Sequence, residues 1–324
     1  MKTKILVTGC AGFIGSHLCE KLLALNYEVI GIDNFDPFYG KAIKEQNLSE
    51  FINHTDFTFL ELDLRDYDSL IKNLPKGIQL ITHLAAKAGV RPSIENPRDY
   101  MQVNVAGTNN VLEAMLEKNI KKLFFASSSS IYGNQKEVPF KENKIDYQPI
   151  SPYAFNKRSC ELMNFTYHHL HQLDIINARF FTVYGPRQRP DLAIHKFVRL
   201  IDENKTIPMF GDGSTSRDYT YISDTISGVV SSIEYLIKND DVFETFNLGN
   251  STPIQLKELI HTISTAMQKD VQINQLPMQE GDVDITFADI NKANDLVGYQ
   301  PQIKLPEGIK NFIAWYNKKK VVQV

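Results

Sequence analysis

Cysteine is scarce in this 324-residue chain: Cys10, Cys19 and Cys160 are all it has. An odd number at no metal-ligand spacing excludes a disulfide framework and a thiolate metal site, and points to a reducing cytoplasm. Long hydrophobic runs are missing as well. No stretch approaches the roughly 18 apolar residues of a membrane span, and the chain opens on Lys2-Thr3-Lys4 rather than on an apolar signal segment. Charge of one sign is also lacking. A net charge of -3 gives no reason to expect nucleic acid or an anionic membrane as partner. The short basic runs Lys121-Lys122 and Lys318-Lys319-Lys320 read as solvated ends of elements. There are no repeats and no low-complexity linker. What remains, 43% hydrophobic and 23% charged, is the composition of a globular protein, long enough for two domains or one large α/β unit.

Into that composition is set a glycine turn. The apolar run Ile5-Leu6-Val7 leads into Gly9-Cys10-Ala11-Gly12-Phe13-Ile14-Gly15, and a helix is expected over 13–25. A strand ending in such a turn leaves the next helix with unpaired N–H groups at its positive end, which favour a pyrophosphate. Glycine lets the phosphate approach the backbone, and Cys10 is small enough to sit inside the loop. The spacing is G-x-x-G-x-x-G rather than G-x-G-x-x-G, and a generic βαβ unit with closely packed glycines is the alternative. A second strand over 27–32 ending in Asp33 favours the nucleotide reading. A carboxylate there accepts the adenosine ribose hydroxyls and repels a 2′-phosphate, so NAD is expected over NADP.

Apolar strand candidates at 5–7, 28–32, 57–62, 80–84, 122–126 and 175–180 alternate with amphipathic segments, the clearest at 100–117 and 154–170. This alternation predicts an α/β fold: a Rossmann-type, doubly wound parallel sheet, with ligands outside the carboxyl ends of its strands. Asp63, Ala85-Ala86-Lys87, Ser127 to Ser130 and Thr182 fall at those ends. Beyond residue 182, Pro and Gly interrupt the pattern. Residues 1–181 are therefore expected to bind the dinucleotide, and 182–324 to form a smaller α/β domain that closes over the substrate, with a return to the large sheet near 243–250.

Tyr153 and Lys157 stand at i and i+4, after Ser151 as N-cap and Pro152 at the first helical position. On a helix they share one face, where an ammonium beside a phenol favours the phenolate and makes a base. A lone Y-x-x-x-K is usually a surface pair. This one follows the fifth strand and the cluster Ser127-Ser128-Ser129-Ser130, whose hydroxyls suit a polyhydroxylated ligand, or else form a polar turn.

Taken together, the glycine turn, Asp33, the serine cluster before Tyr132-Gly133 and the Tyr153/Lys157 pair resemble the extended short-chain dehydrogenase/reductase family, the nucleotide-sugar epimerases and dehydratases, over nearly the whole chain. Within it, Asp33-Asn34-Phe35-Asp36-Pro37-Phe38-Tyr39, the run from Leu84 to Arg91, the run from Gln148 to Tyr153, and the run from Arg179 to Asp191 are most similar to UDP-glucuronate 4-epimerases. The resemblance implies that Tyr153 exchanges the proton of the sugar 4-hydroxyl, Lys157 lowers its pKa and holds the nicotinamide ribose, and Ser128 bonds the reacting hydroxyl. It implies cofactor contacts from Gly9, Gly12, Phe13, Ile14, Gly15, Asp33, Asn34 and Tyr184, with Asp63 and Leu64 flanking the adenine. Leu84, Ala85, Ala86 and Lys87 line the cofactor, and Asn104 supports it from beneath. Lys87 stands where the family carries glutamine. Arg217 is implied on the diphosphate, with a surface pair to Asp218 as its alternative. Lys196, Phe197, Met209, Phe210 and Asp282 are implied around the uridine. Arg189 falls on the sugar or on the second phosphate, and Arg91 either enters the cleft or pairs with Glu95.

The same resemblance orders the reactions. A 4,6-dehydratase needs acid–base carboxyl groups at the positions of Ser129 and Ser130, and a decarboxylase carries glutamate at Ser130. Hydroxyls stand there instead, which implies return of hydride to the opposite face of a 4-keto intermediate, converting UDP-glucuronate to UDP-galacturonate. Ser129, Ser130 and Thr182 are expected on the sugar carboxylate. UDP-glucose or UDP-N-acetylglucosamine epimerisation is the alternative, with decarboxylation or a non-catalytic NAD-binding role further behind. Relatives pair as homodimers through helices at 100–117 and 154–170.

Overall fold

The computed structural model describes residues 2–144, 148–278 and 282–322. Its centre is a seven-stranded sheet of β1 (Lys4–Thr8), β2 (Glu28–Asp33), β3 (Phe57–Glu61), β4 (Leu80–His83), β5 (Lys122–Ser128), β6 (Asp174–Phe180) and, arriving late in the chain, an edge strand at Phe243–Leu248. Every pairing in it is parallel, in the order edge strand, β6, β5, β4, β1, β2, β3. Parallel strands need crossovers, so both faces are covered and the central strands β1, β2, β4 and β5 are largely apolar. Successive side chains serve opposite cores. In β1, Ile5 and Val7 join Leu18 and Leu22 of the helix Phe13–Ala24, and Ile226, Val229 and Ile233 of Ile222–Lys238. Leu6 faces the other way, into a core with Val111, Leu112 and Met115 of Gly107–Glu117.

The second half is not a separate layer. It holds a small sheet of β7 (Thr182–Tyr184), β9 (Ser216–Tyr221) and a strand at Pro253–Gln255, and a pair of β8 (Ile207–Phe210) with Ile273–Leu276. Yet it also returns the edge strand and the helix Ile222–Lys238 to the large sheet. Within this half the Asp218 carboxylate ties β9 to the loop after the edge strand and to Ala288, accepting N–H bonds from Asn250 (2.7 Å), Ser251 (3.0 Å) and Ala288 (3.0 Å).

The helix expected over 100–117 is interrupted. A short turn at Pro97–Tyr100 passes into a π-helix at Met101–Ala106 before the regular helix Gly107–Glu117. The wider turn aims Asn104 at the loop after β4. There its side chain accepts from Lys87 N–H at 2.8 Å and donates to the Lys87 carbonyl at 2.9 Å.

Beneath the serine cluster lies a buried ion pair. Arg179 of β6 forks onto Glu161 of the helix Pro152–His171, with Nε–Oε1 and Nη2–Oε2 both at 2.9 Å. Glu161 accepts from Ser127 Oγ at 2.6 Å, and Arg179 donates to the Tyr132 hydroxyl at 2.9 Å. Tyr132 donates to Asn247 at 2.7 Å. Burial opposes ionisation of Glu161, but the Arg179 bond and charge overcome it and hold the carboxyl below its ordinary value. The stability this contributes is present above the usual glutamate range and lost as pH falls through the folded value. Glu161→Ala leaves a guanidinium buried without its counter-ion and is expected to lower stability by about 3–5 kcal/mol, whereas the double change to two methionines loses less. Urea unfolding tests this, and an unmoved midpoint in Glu161→Ala would overturn it.

Candidate active site

A cleft of about 470 Å³ opens where the sheet order reverses, over β1 between the ends of β2 and β4. Gly9, Gly12, Phe13, Ile14 and Gly15 line its floor. Gly9 has φ +73°, and a side chain there would meet the Ala85 nitrogen at 2.9 Å. The helix Phe13–Ala24 starts at Gly12 with no side-chain cap and no acid in its first turn, so its N–H groups stay available to an anion. Thr8 Oγ1 accepts from the N–H groups of Leu84 and Ala85, both at 3.1 Å, and fixes the opposite lip. Asp33, Asn34, Asp63 and Leu64 line one end, and Leu84, Ala85, Ala86 and Lys87 the far wall.

At the other end stand Ser128, Ser129, Ser130, Tyr153, Lys157, Thr182 and Arg189. Ser151 Oγ caps the helix Pro152–His171 by accepting from Ala154 N–H at 3.1 Å, and Ser93 Oγ accepts from Tyr153 N–H at 3.1 Å. This start places Tyr153 against Ser128. Burial pushes the Tyr153 phenol up, while the Ser128 hydrogen bond and the Arg189 charge pull it down. Lys157 is committed to the neighbouring strand. Its ammonium is bonded to the Ala126 carbonyl at 2.7 Å and lies 4.9 Å over the Phe125 ring. Burial brings its pKa down to about 8. Ser128 Oγ accepts from Ser130 N–H at 3.1 Å, which fixes the hydroxyl that faces the phenol. The arrangement can take a proton from a hydroxyl held between Tyr153 and Ser128.

The family model described as GDP-mannose 4,6 dehydratase matches residues 6–312. The chain belongs to the extended short-chain dehydrogenase/reductase family. Similar relatives include an uncharacterized protein of Methanocaldococcus jannaschii, 46% identical over 99% of this chain and 98% of that one. A UDP-glucuronate 4-epimerase of Thermodesulfobacterium geofontis is 41% identical over 96% of this chain and 95% of its own. Among solved structures, the UDP-glucuronic acid 4-epimerase of Bacillus cereus, in complex with UDP-glucuronic acid and NAD, superimposes with a TM-score of 0.91 at 35% identity, covering 98% and 100% of the two chains.

Of the remaining residues singled out in the sequence, Tyr184 and Arg91 stand differently from expectation. Tyr184 does not line the cleft. It is buried in the core, edge-on to Tyr219 and Tyr221, and packed against Gly308, because β7 turns its side chain inward. Asn104 lies behind the wall and acts through the Lys87 backbone. Arg217 makes no pair with Asp218, whose carboxylate is spent on backbone N–H groups. Burial lowers the Arg217 pKa, and Asp282, Asp284 and Arg91 lie in its field. Arg91 pairs with Asp282 at 2.8 Å rather than with Glu95, and its guanidinium lies 5.4 Å over Phe210. Arg91, Phe210, Arg217 and Asp282 thus form a second cluster beyond the cleft. Met209 and Phe197 are buried in the core, and Lys196 is half-buried beside Phe197 on the helix Ala193–Asp202. Arg189 is forked on Asp191 (3.0 and 2.7 Å), and stacks 4.9 Å over Phe38.

The sequence reading missed a chain of charges across the crevice. Arg65 is bonded to Asp63 at 2.6 Å and lies 3.6 Å from Asp99; Lys87 bonds Asp99 and lies 3.3 Å from Asp36. Asn34 closes the ring, donating to Asp63 at 3.0 Å and accepting from Asp36 N–H at 3.0 Å. Asp36 and Asp63 follow β2 and β3, whereas Lys87 and Asp99 follow β4, so the Lys87–Asp36 and Arg65–Asp99 contacts cross the groove. The only sequence signal was Lys87 in place of glutamine. Lys87→Gln is expected to release a bound dinucleotide about five-fold faster, and added salt to speed release from the unaltered protein. Stopped-flow displacement of NAD checks both, and a salt-independent rate equal in the two proteins would discard the bridge as a retaining element.

Proposed function

We propose that this protein interconverts UDP-glucuronate and UDP-galacturonate as an NAD-dependent 4-epimerase. One observation carries the reading. Around the Tyr153–Ser128 pair the cleft presents the hydroxyls of Ser129, Ser130 and Thr182, and among the described residues its lining carboxylates, Asp33, Asp36 and Asp63, belong to the opposite end. Among the described residues no carboxyl group near the phenol can draw off the C5 proton or protonate a departing hydroxyl, so a 4-keto sugar formed there has reduction as its outlet. The full-length similarity to UDP-glucuronate 4-epimerases supports the same reading.

The crevice suits the cofactor: an uncapped helix terminus for the pyrophosphate, glycine where a side chain would intrude, and a carboxylate at the ribose end. When bound, NAD supplies the acceptor and then the donor of the C4 hydride. Tyr153 takes the 4-hydroxyl proton and later returns it, Ser128 holds that oxygen, and Lys157, fixed on the Ala126 carbonyl, positions the nicotinamide ribose. The sugar must present its other face between the two transfers. Ser129, Ser130 and Thr182 hold the C6 carboxylate by neutral hydrogen bonds. A 4-keto uronate is a β-keto acid, and it loses carbon dioxide once its carboxylate turns perpendicular to the ring carbonyl. Several hydrogen bonds that keep the carboxylate turned toward the ring resist this. Arg217 is assigned to the diphosphate. Asp282, Phe210, Met209, Lys196, Phe197 and Arg91 are assigned to the uridine side, and Arg189 to the sugar or second phosphate.

In this reading residues 1–181 with 243–250 hold the cofactor and 182–324 the substrate. The protein works as a homodimer, supported by the exposed apolar Phe155, Leu162 and Phe165 along one helix. The cytoplasm as its compartment rests on three buried, unpaired cysteines. Among the described residues no helix is long and apolar enough to cross a membrane.

Proton NMR of the protein with UDP-glucuronate and catalytic NAD⁺, beside a UDP-glucose control, tests the assignment. UDP-galacturonate in the first tube alone is expected; UDP-galactose in the second with nothing in the first overturns the choice of sugar. Thr182→Val is expected to raise the UDP-4-keto-pentose by-product, and a product profile without it would refute the carboxylate role. Because the Ser128 bond pulls the phenol down, Ser128→Ala should move the rising limb of the kcat/KM–pH profile to higher pH; a limb that stays or falls contradicts the pairing.

A further inference from the structure

We infer that Lys44 is a cofactor-specificity residue: its ammonium, paired with Asp33 at the adenosine ribose, sets how strongly the site rejects a 2′-phosphate. The inference rests on the NAD reading above. In sequence, Asp33 is a bare carboxylate at the end of β2, and that charge alone argues for NAD over NADP. In the fold it is not bare. Lys44 Nζ lies 3.0 Å from Asp33 Oδ1, with the side chains 7% and 5% exposed. Asp33 Oδ1 also accepts from Phe35 N–H at 2.8 Å, and Oδ2 holds a longer bond of 3.3 Å from Ala11 N–H. Both side chains line the crevice.

The helix that carries Lys44, Lys41–Leu48, is docked on the glycine turn itself. Its buried face is Lys44, Asn47 and Leu48, and Asn47 donates to the Ala11 carbonyl at 3.0 Å. The ammonium is thereby held at the same corner as the ribose acid. The other cations at this end have their own acids: Arg65 sits on Asp63 and Asp99, Lys87 on Asp99 and Asp36, and Lys41 lies 3.9 Å from Glu61 and 4.7 Å over the Phe35 ring. A cation this close to the acid offsets part of its field on a group a few ångströms further on. Repulsion of a 2′-phosphate by Asp33 is therefore weakened, and Lys44 lies at the corner where such a phosphate would arrive. Rejection of NADP falls to the space and hydrogen bonds that the paired acid leaves, and the strength of rejection depends on Lys44.

A purely structural pair makes a different forecast. If Lys44 only satisfies a buried acid, its loss weakens NAD and NADP alike. If it tunes specificity, its loss uncovers Asp33 and removes the nearest cation, so NADP suffers more. The experiment is calorimetric titration of nucleotide-stripped protein with NAD⁺ and NADP⁺, on the unaltered chain, Lys44→Met, Lys44→Arg and Asp33→Asn. The ratio of the NADP⁺ to the NAD⁺ Kd is expected to rise about ten-fold in Lys44→Met and to stay near the original in Lys44→Arg. In Asp33→Asn, where the lysine loses its acid, the ratio should fall below the original. An unchanged ratio in Lys44→Met that still binds NAD⁺ overturns the inference and leaves the cofactor reading intact. An unchanged or raised ratio in Asp33→Asn overturns it too, so a Lys44→Met chain that fails to fold leaves the test in force. Binding of neither dinucleotide to the unaltered chain sinks the cofactor reading itself.

Discussion

Everything in this protein is arranged around the place where strand order reverses. β1 lies between β2 and β4, and the chain leaves the sheet from β1 through a turn that only glycine can make. The loops after β2 and β3 fall to one side, those after β4 and β5 to the other. A crevice opens between them without any residue having to hold it open. The uncapped helix terminus at Gly12 lies on its floor, the acid of β2 at one end, and the serine cluster of β5 toward the other. A fold with β1 at an edge would have the same motifs and no crevice.

The catalytic end depends on a second constraint, the burial of charge. Lys157 and Glu161 are one helical turn apart on the helix Pro152–His171, and both are buried. Each is tolerated because β5 and β6 supply a partner: the Ala126 carbonyl for one, Arg179 and Ser127 for the other. The helix is thereby held against β5 at the two turns that matter, and Tyr153 at its start meets Ser128 at the strand's end. The same bonds fix the lysine: its ammonium is held on the Ala126 carbonyl, one residue before the serine cluster.

In the proposed reaction the C6 carboxylate meets the hydroxyls of Ser129, Ser130 and Thr182, with the cations Lys157 and Arg189 at the same end of the cleft. A cation at Thr182 or Ser129 would bind a carboxylate more strongly but would also impose its own geometry on it. Neutral donors spread the load over several weaker bonds. At the opposite end of the cleft Lys44, Arg65 and Lys87 are each answered by an acid.

Apolar alternation and the turn chemistry of Gly9 to Gly15 determine a doubly wound sheet, because a parallel strand buried on both faces tolerates few other patterns. The observed strands fall within a residue or two of the expected ones, and the Ser151-Pro152 start marks the catalytic helix for the same local reason. Asp33, the serines and Thr182 were legible because they sit where such strands end, and Tyr153 because it follows the Ser151-Pro152 helix start. What sequence could not contain was partnership across the fold. Asn104 reads as one polar residue in a helix until a π-turn aims it at Lys87. Tyr184 reads as a cofactor contact until β7 turns it into the core. Lys44 is unremarked in sequence, and Lys87 meets Asp36, 51 residues away in the chain, only because β4 is brought beside β1. Local periodicity and capping act over a few residues and are written in order; the pairing of buried charges depends on which strands become neighbours, and only the folded sheet decides that.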